Sequence, residues 1–427
     1  MFSKKFLSDC RDLLILWSTQ SLSQLGSSMT GFALVLWSYS RYGSALTTAL
    51  LTVCSYAPYV VMSVFAGALS DRWDKKRTML ACDTLAAACT LGVLGLWWMG
   101  ALRIWHLYLI NALNGLMNTV QQPASDVAVS LLTPPEHYQR VGGLRAFSGS
   151  LVSLLTPMCA AALYGLGGLG TVIAFDLGTF ALAAVCLLFR IRLPRQSGRA
   201  EQSETVLSAA GSGLRYLREH RGVLDVILFL AVINLTASMF HAALPALLIP
   251  KGGERALGLV ETFAGAASLA GGLLAAALPA PRSRVRVICD SLLFSMSTEN
   301  FLLALGRGLP VWCLGAVLGW LFIPVMNANL DALLRLSIPL EMQGRVYSAR
   351  NALQFFTIPV GYLLGGALVD RVFEPFMAAQ ATGGLLCGLF GTGKGAGAAL
   401  FFLVIGVFGA LSCLPARWDR HIWELEK

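Results

Sequence analysis

Apolar residues recur along this chain in runs near 20 residues long, parted by short segments rich in charge, glycine or proline. A run of that length crosses a hydrocarbon layer of about 30 Å as a helix. The pattern predicts twelve spans, over 13–39, 45–69, 78–99, 105–131, 143–165 and 171–189, then 223–248, 257–279, 287–305, 310–334, 346–369 and 396–414. A polar stretch, 190–222, separates the two sets of six and opens R-I-R-L-P-R-Q-S-G-R. Its second half, Gly213–His220, sets Leu214 and Leu217 among Arg215, Arg218 and Glu219. That spacing suits an amphipathic helix on the membrane face or a helical lead-in to span 7. The expected organisation is an all-α membrane protein, with a bundle over 1–189, a linker over 190–222 and a second bundle over 223–427.

Composition removes the soluble alternatives. Of the 427 residues 13% are charged, against about 25% in a soluble domain. So few charges leave a water-facing surface uncovered, which excludes a soluble enzyme, a disordered chain and a collagen-like repeat. Of 32 Lys and Arg, 25 fall on the side holding both ends and the linker, and none lies deep in a span. By the positive-inside rule both termini and the linker are expected in the cytoplasm, with the chain in a cell (inner or plasma) membrane. The basic residues punctuate spans and do not cluster, so nucleic acid is not an expected partner. Lys4, Lys5 and Arg11 precede an apolar run too long for a signal h-region, which makes span 1 its own insertion signal. The ten Cys are scattered without a C-x-x-C pair, and the five His, at 106, 137, 220, 241 and 421, fall in loops, tails or span ends. No metal cluster, nucleotide loop or nucleophile–base set stands out, so neither metal, cofactor nor enzymatic activity is expected.

The two halves repeat one another. The pattern D-x7-P-x-E-x3-R-V-x3-R occurs at Asp126, Pro134, Glu136, Arg140, Val141 and Arg145, and again at Asp331, Pro339, Glu341, Arg345, Val346 and Arg350. Cys82-Asp83-Thr84-Leu85 is echoed by Cys289-Asp290-Ser291-Leu292, and Gln24-Leu25 with Ser28-Met29 by Asn234-Leu235 with Ser238-Met239. Three echoes in one order predict a duplicated six-span unit, two pseudo-symmetric six-helix bundles around a central cavity, which is a transporter architecture.

The stretch Gly67-Ala68-Leu69-Ser70-Asp71-Arg72-Trp73-Asp74-Lys75-Lys76-Arg77 resembles the loop 2–3 signature of the major facilitator superfamily. The chain is similar to the macrolide-efflux-type drug:proton antiporter branch at Glu341-x-Gln343-Gly344-Arg345-Val346-Tyr347-Ser348, at Phe175-Asp176-x-x-Thr179-Phe180 and at Phe390-Gly391-x-Gly393-Lys394-Gly395. Two positions depart from the pattern: Asp74 replaces a common glycine, and the second-half counterpart Pro281–Arg286 lacks the acid. The resemblance implies a cytoplasmic gate in which Asp71 faces the start of span 11 near Arg345–Ala349. Arg72 or Arg77 would then pair with Asp126, and Gly67, Lys75 and Lys76 would complete the motif. The plainer reading is that these charges only anchor a loop.

Seven acids fall within spans, where ionisable groups are costly and point to function. Asp83, Asp126, Asp290 and Asp331 lie near the cytoplasmic ends, where Arg neighbours and water suit a structural role. Asp176, Glu261 and Glu299 lie towards the outside and are the candidates for carrying a proton. Glu261 shares a face of span 8 with Gly265, Ser268 and Gly272, which fits either a pathway border or tight helix packing. Glu299 and Asp176 also suit hydrogen-bonded scaffold roles. Spans 1, 4, 7 and 10 should line the cavity, offering Gln20, Gln24, Asn114, Asn118, Gln121, Asn234 and Asn327. Such amides must face water or one another, so cargo contact and bonding across helices both stand. Pro157 in span 5 and Pro359 with Gly361 in span 11 mark points of bending or of close packing.

The expected activity is export of a hydrophobic or amphipathic small molecule by proton antiport, from a monomer in the bilayer. Carriage of another metabolite on the same scaffold, such as a siderophore, peptide product or lysolipid, and a non-transporting sensor are the rival readings.

Overall fold

The computed structural model describes residues 10–72, 74–134, 138–191, 215–279, 281–339, 346, 350, 353–354, 356–381 and 384–426. All regular structure among them is helical. Helices α1 (Arg11–Tyr42), α2 (Ala45–Arg72), α3 (Lys75–Trp98) and α4 (Ile104–Leu132) come first. The stretch Tyr138–Phe189 is broken at Gly167 and Gly168, the latter at φ +69°, into α5 (138–166) and α6 (169–189). Likewise Arg221–Ala277 is broken at Gly253, φ +76°, into α7 (221–252) and α8 (254–277). A left-handed φ is cheap only for glycine, which is how single residues interrupt these apolar stretches. The second break is a full reversal: His241 and Glu261 lie 4.0 Å apart, whereas a straight helix would separate them by about 30 Å. Next come α9 (Arg284–Leu305) and α10, which runs Leu309–Leu321 and resumes Ile323–Ser337. Helix α11 (Thr357–Leu368) continues through a π-helical turn, Val369–Phe373, into Glu374–Ala378. Helix α12 (Ala396–Trp418) and a short helix, Arg420–Glu424, end the chain. Among the described residues a helix falls within each of the twelve expected spans, and six helical stretches are long and apolar enough to cross a membrane.

The chain forms two compact units, and the division is not purely sequential. The first holds Met1–Trp37 and Cys54–Ser203; the second holds Ser38–Val53 and Glu204–Lys427. The turn between α1 and α2 thus packs with residues of the second repeat.

In the first unit, Leu16, Met79, Ala124, Ala128, Leu187 and Ile191 form a core joining α1, α3, α4 and α6. Cys10, Leu13 and Val141 extend it to α5. Helix α4 meets α2 backbone to backbone at Gly115, where an added Cβ would run into the Ser55 carbonyl. Gly115→Leu is therefore expected to push these helices apart at a cost of about 1–3 kcal/mol, read as a lower melting temperature in detergent.

In the second unit a larger core joins α7, α9, α10 and α12 with Ile422 of the last short helix. Tyr216 and Leu217 belong to this core while Arg215 and Arg218 are exposed. The described end of the linker is thus a packed lead-in to α7. At the start of α9 the side chain of Ser283 accepts from Arg286 N at 3.1 Å, and the Glu426 carboxylate accepts from Val285 N at 2.6 Å and Ser283 Oγ at 2.8 Å. The corresponding start of α3 is capped by Asp74, which accepts from Arg77 N at 2.9 Å. The acid missing from the second loop is thus supplied by the chain's own tail. Asp290 pairs with Arg417 at 2.7 Å, both being more than 40% exposed. Exposed pairs are worth at most about 1 kcal/mol, so Arg417→Ala should leave the melting temperature almost unchanged.

Leu166 and Phe189 are each more than 80% exposed, and Trp98 and Trp418 about as open at helix ends. Apolar surface of that kind is stable in lipid, with the indoles at the headgroup level.

Candidate functional site

The second unit brings polar side chains of four of its helices together. Glu261 of α8 approaches His241 of α7, Oε1 to Nδ1 4.0 Å. Glu299 of α9 lies close enough for its charge to interact with that of Glu261, and the Trp320 indole of α10 bonds to its carboxylate. The His241 and Trp320 rings stand 5.9 Å apart, centroid to centroid. Gly319 makes the room: a Cβ there would collide with the Glu299 carboxyl group. Glu261 lies eight residues past Gly253, about 12 Å along the helix from the reversal.

The two acids differ in access. Glu299 is 6% exposed, while the Glu261 side chain keeps 29%. Among the described residues neither pairs with Lys or Arg. Two carboxylates within reach of each other's charge and beside an imidazole can take up and hand on a proton.

The acids of the first unit are held differently. Asp176, 4% exposed, accepts from Ser27 Oγ at 3.1 Å and Thr30 Oγ1 at 2.8 Å, joining α6 to α1. Gly26 lets the two backbones approach there, since a Cβ would meet Thr179 and Asp176. Asp83 of α3 accepts from Gln20 of α1 at 3.3 Å and from Gln121 of α4. Of the cavity candidates, Gln20 and Gln121 therefore bond across helices. Asn114 is half-buried, and its Oδ1 has no partner among the described residues. Asn234 is half-buried; Gln24, Asn118 and Asn327 are exposed.

Around the loop signature, Lys76 Nζ donates to the Leu188 carbonyl at 3.0 Å and the Ile191 carbonyl at 2.7 Å, closing the C-terminal end of α6. Lys75 is half-buried and Arg77 exposed. Asp331 meets Arg350 at 3.6 Å. The side chains of Asp71, Arg72 and Asp126, the surroundings of Gly67, and all of Glu341 and Arg345 lie outside the described residues.

Residues 16–288 match the model of the Major Facilitator Superfamily. The chain belongs to that superfamily. It is a multi-pass membrane transporter and not an enzyme. Among superfamily relatives, Macrolide efflux protein A of Streptococcus pyogenes is 23% identical over 363 residues, covering 84% of this chain and 89% of that protein. Multidrug efflux pump Tap of Mycobacterium tuberculosis (strain ATCC 25618 / H37Rv) is 25% identical over 350 residues, covering 77% and 80%. Of solved superfamily-type structures, a variant of the nucleoside transporter NupG superposes with a TM-score of 0.73 at 12% identity, over 94% of this chain and 99% of that one. A bacterial homologue of the human lysosomal transporter Spinster, inward-facing and occupied, gives 0.70 at 14% identity, over 97% and 98%. These likenesses establish the shared fold.

His241 and Trp320 are the members of the acid site that sequence reasoning did not single out. Its four residues sit on four different helices, and His241 and Glu261 meet only through the Gly253 reversal.

Proposed function

We propose that the chain is a proton-driven exporter of hydrophobic or amphipathic small molecules, acting by alternating access as a monomer with both termini in the cytoplasm. The observation that carries this reading is the Glu261–Glu299 pair beside His241, free of any Lys or Arg partner among the described residues. Protonation of such a pair alters the charge inside the second repeat, which is the event an antiporter needs between its two half-cycles. The names of the efflux relatives support the direction and the kind of cargo. The absence of Lys and Arg deep in any span fits cargo without phosphate or carboxylate, which would call for a buried guanidinium. Exposed Gln24, Asn118 and Asn327 offer uncharged hydrogen bonds, and a watery pathway is the setting that suits amides in a membrane.

The test is proton flux in proteoliposomes. Macrolides, cationic dyes and neutral amphiphiles are added in turn against an imposed pH gradient, with a pH-sensitive dye as reporter. At least one compound should drive proton movement through the wild type and none through Glu261→Gln. Inward accumulation by cells would overturn the direction, and undiminished activity of Asp71→Asn would count against the gate expected from the loop signature.

A further inference from the structure

The π-helical turn that extends α11 carries a carboxylate with an unusual set of partners. Asp370 Oδ2 accepts from Ser44 Oγ at 2.6 Å and Leu46 N at 2.9 Å, and Oδ1 accepts from Ala45 N at 3.0 Å. The acid therefore caps the start of α2, a helix of the first repeat. Gly366, one turn earlier, lies against the same backbone: a Cβ there would stand 2.6 Å from Leu46 Cα. Two further bonds fix the end of α1 in the same unit, Tyr39 Oη to the Ala246 carbonyl at 3.4 Å and Ser40 Oγ to Glu254 at 2.6 Å.

Four residues on, Glu374 does the same for a helix of its own repeat. Its Oε1 accepts from Gly395 N and Ala398 N, both at 3.0 Å, at the start of α12. The preceding F-G-x-G-K-G stretch presents those amides by turning at Gly391, Gly393 and Gly395, all at φ of +80° or more. Two carboxylates one helical turn apart thus cap two helices, one in each repeat.

We infer that Asp370 is a releasable clasp, a positioning residue for the transport cycle, whereas Glu374 is a fixed cap. Residues 38–53 pack with the second repeat, and Asp370 holds them there at the start of α2. For cargo to pass here the start of α2 must leave the carboxylate, and the three bonds re-form on closure. The π turn sets the register of Asp370 on α11, in keeping with the frequent use of π-bulges at functional sites. The inference rests on alternating access but not on proton coupling or on any particular cargo.

Hydrogen exchange measured by mass spectrometry on the full-length protein in nanodiscs, without cargo, tests it. Asp370→Asn should raise exchange of the 45–48 amides at least tenfold. It should also lower exchange at the opposite ends of α3 and α9, around 75–80 and 284–290, as that side closes. Glu374→Gln should loosen only 395–398. Unchanged exchange at 45–48, a rise at both ends, or a rise at 45–48 with no response at the far ends would each overturn the clasp. So would the same far-end response from Glu374→Gln. Because no proton or cargo enters the measurement, its failure is distinct from failure of the proteoliposome test.

Discussion

Glu261→Gln should lower proton-driven export roughly a hundredfold, the lower end of what a well-placed proton-transfer group contributes, while leaving the protein folded and able to bind cargo. Gln keeps the size and hydrogen-bonding reach of Glu but holds no exchangeable carboxyl proton. The site would then be locked in the charge state of the protonated acid. Exchange of labelled cargo for unlabelled cargo across the membrane needs no net proton step, so it should persist in the variant when both sides are loaded. That split between lost uphill export and retained exchange separates proton coupling from a binding or folding defect. Uphill export at the wild-type rate would remove Glu261 from the mechanism. Glu299→Gln should behave differently: with the carboxyl sealed against Gly319 and bonded to Trp320, the amide loses an acceptor, so stability is expected to fall together with transport.

The helical plan was legible because hydropathy is a local property: each span declares itself by its own run. The repeat motif containing Asp126 and Asp331 declared the duplication in the same way. The breaks at Gly168 and Gly253 fall in the gaps expected between spans 5 and 6 and between 7 and 8. What a single helix cannot encode is its neighbour. The polar faces bearing Gln20 and Gln121 were visible, yet their common partner Asp83 lies on a third helix, and spacing gives only a face. His241 looked idle near a span end because its partner comes after a chain reversal. Asp370 and Glu374 sit where a span ends in sequence, and their caps are on residues more than 300 and about 20 positions away, respectively. The tail residue Glu426 carries no pattern at all, since its role is set by the N-terminus of α9 that it meets.

The same contrast in surroundings sets the last expectation, for Asp176. Its carboxylate accepts one bond on each oxygen, from Ser27 and Thr30, so its work is to hold α6 on α1, and Asp176→Ala should cost on the order of 1–3 kcal/mol by leaving the buried Thr30 hydroxyl without that acceptor. Asp176→Asn, which keeps one oxygen acceptor, should cost less. Gly26→Ala supplies a comparison, because its methyl group would press on Thr179 and Asp176 and push the same helices apart while leaving the carboxylate in place. All three variants are expected to melt earlier in detergent, in proportion to the lost contact, and still to couple protons to export in the molecules that remain folded. An Asp176→Asn protein with wild-type melting but no proton flux would reverse the assignment and move the proton site into the first repeat. Two intramembrane acids in one chain thus receive opposite roles from one physical distinction. An acid whose oxygens are satisfied by neutral donors builds the scaffold, and an acid left open beside a second carboxylate and an imidazole is free to exchange its proton.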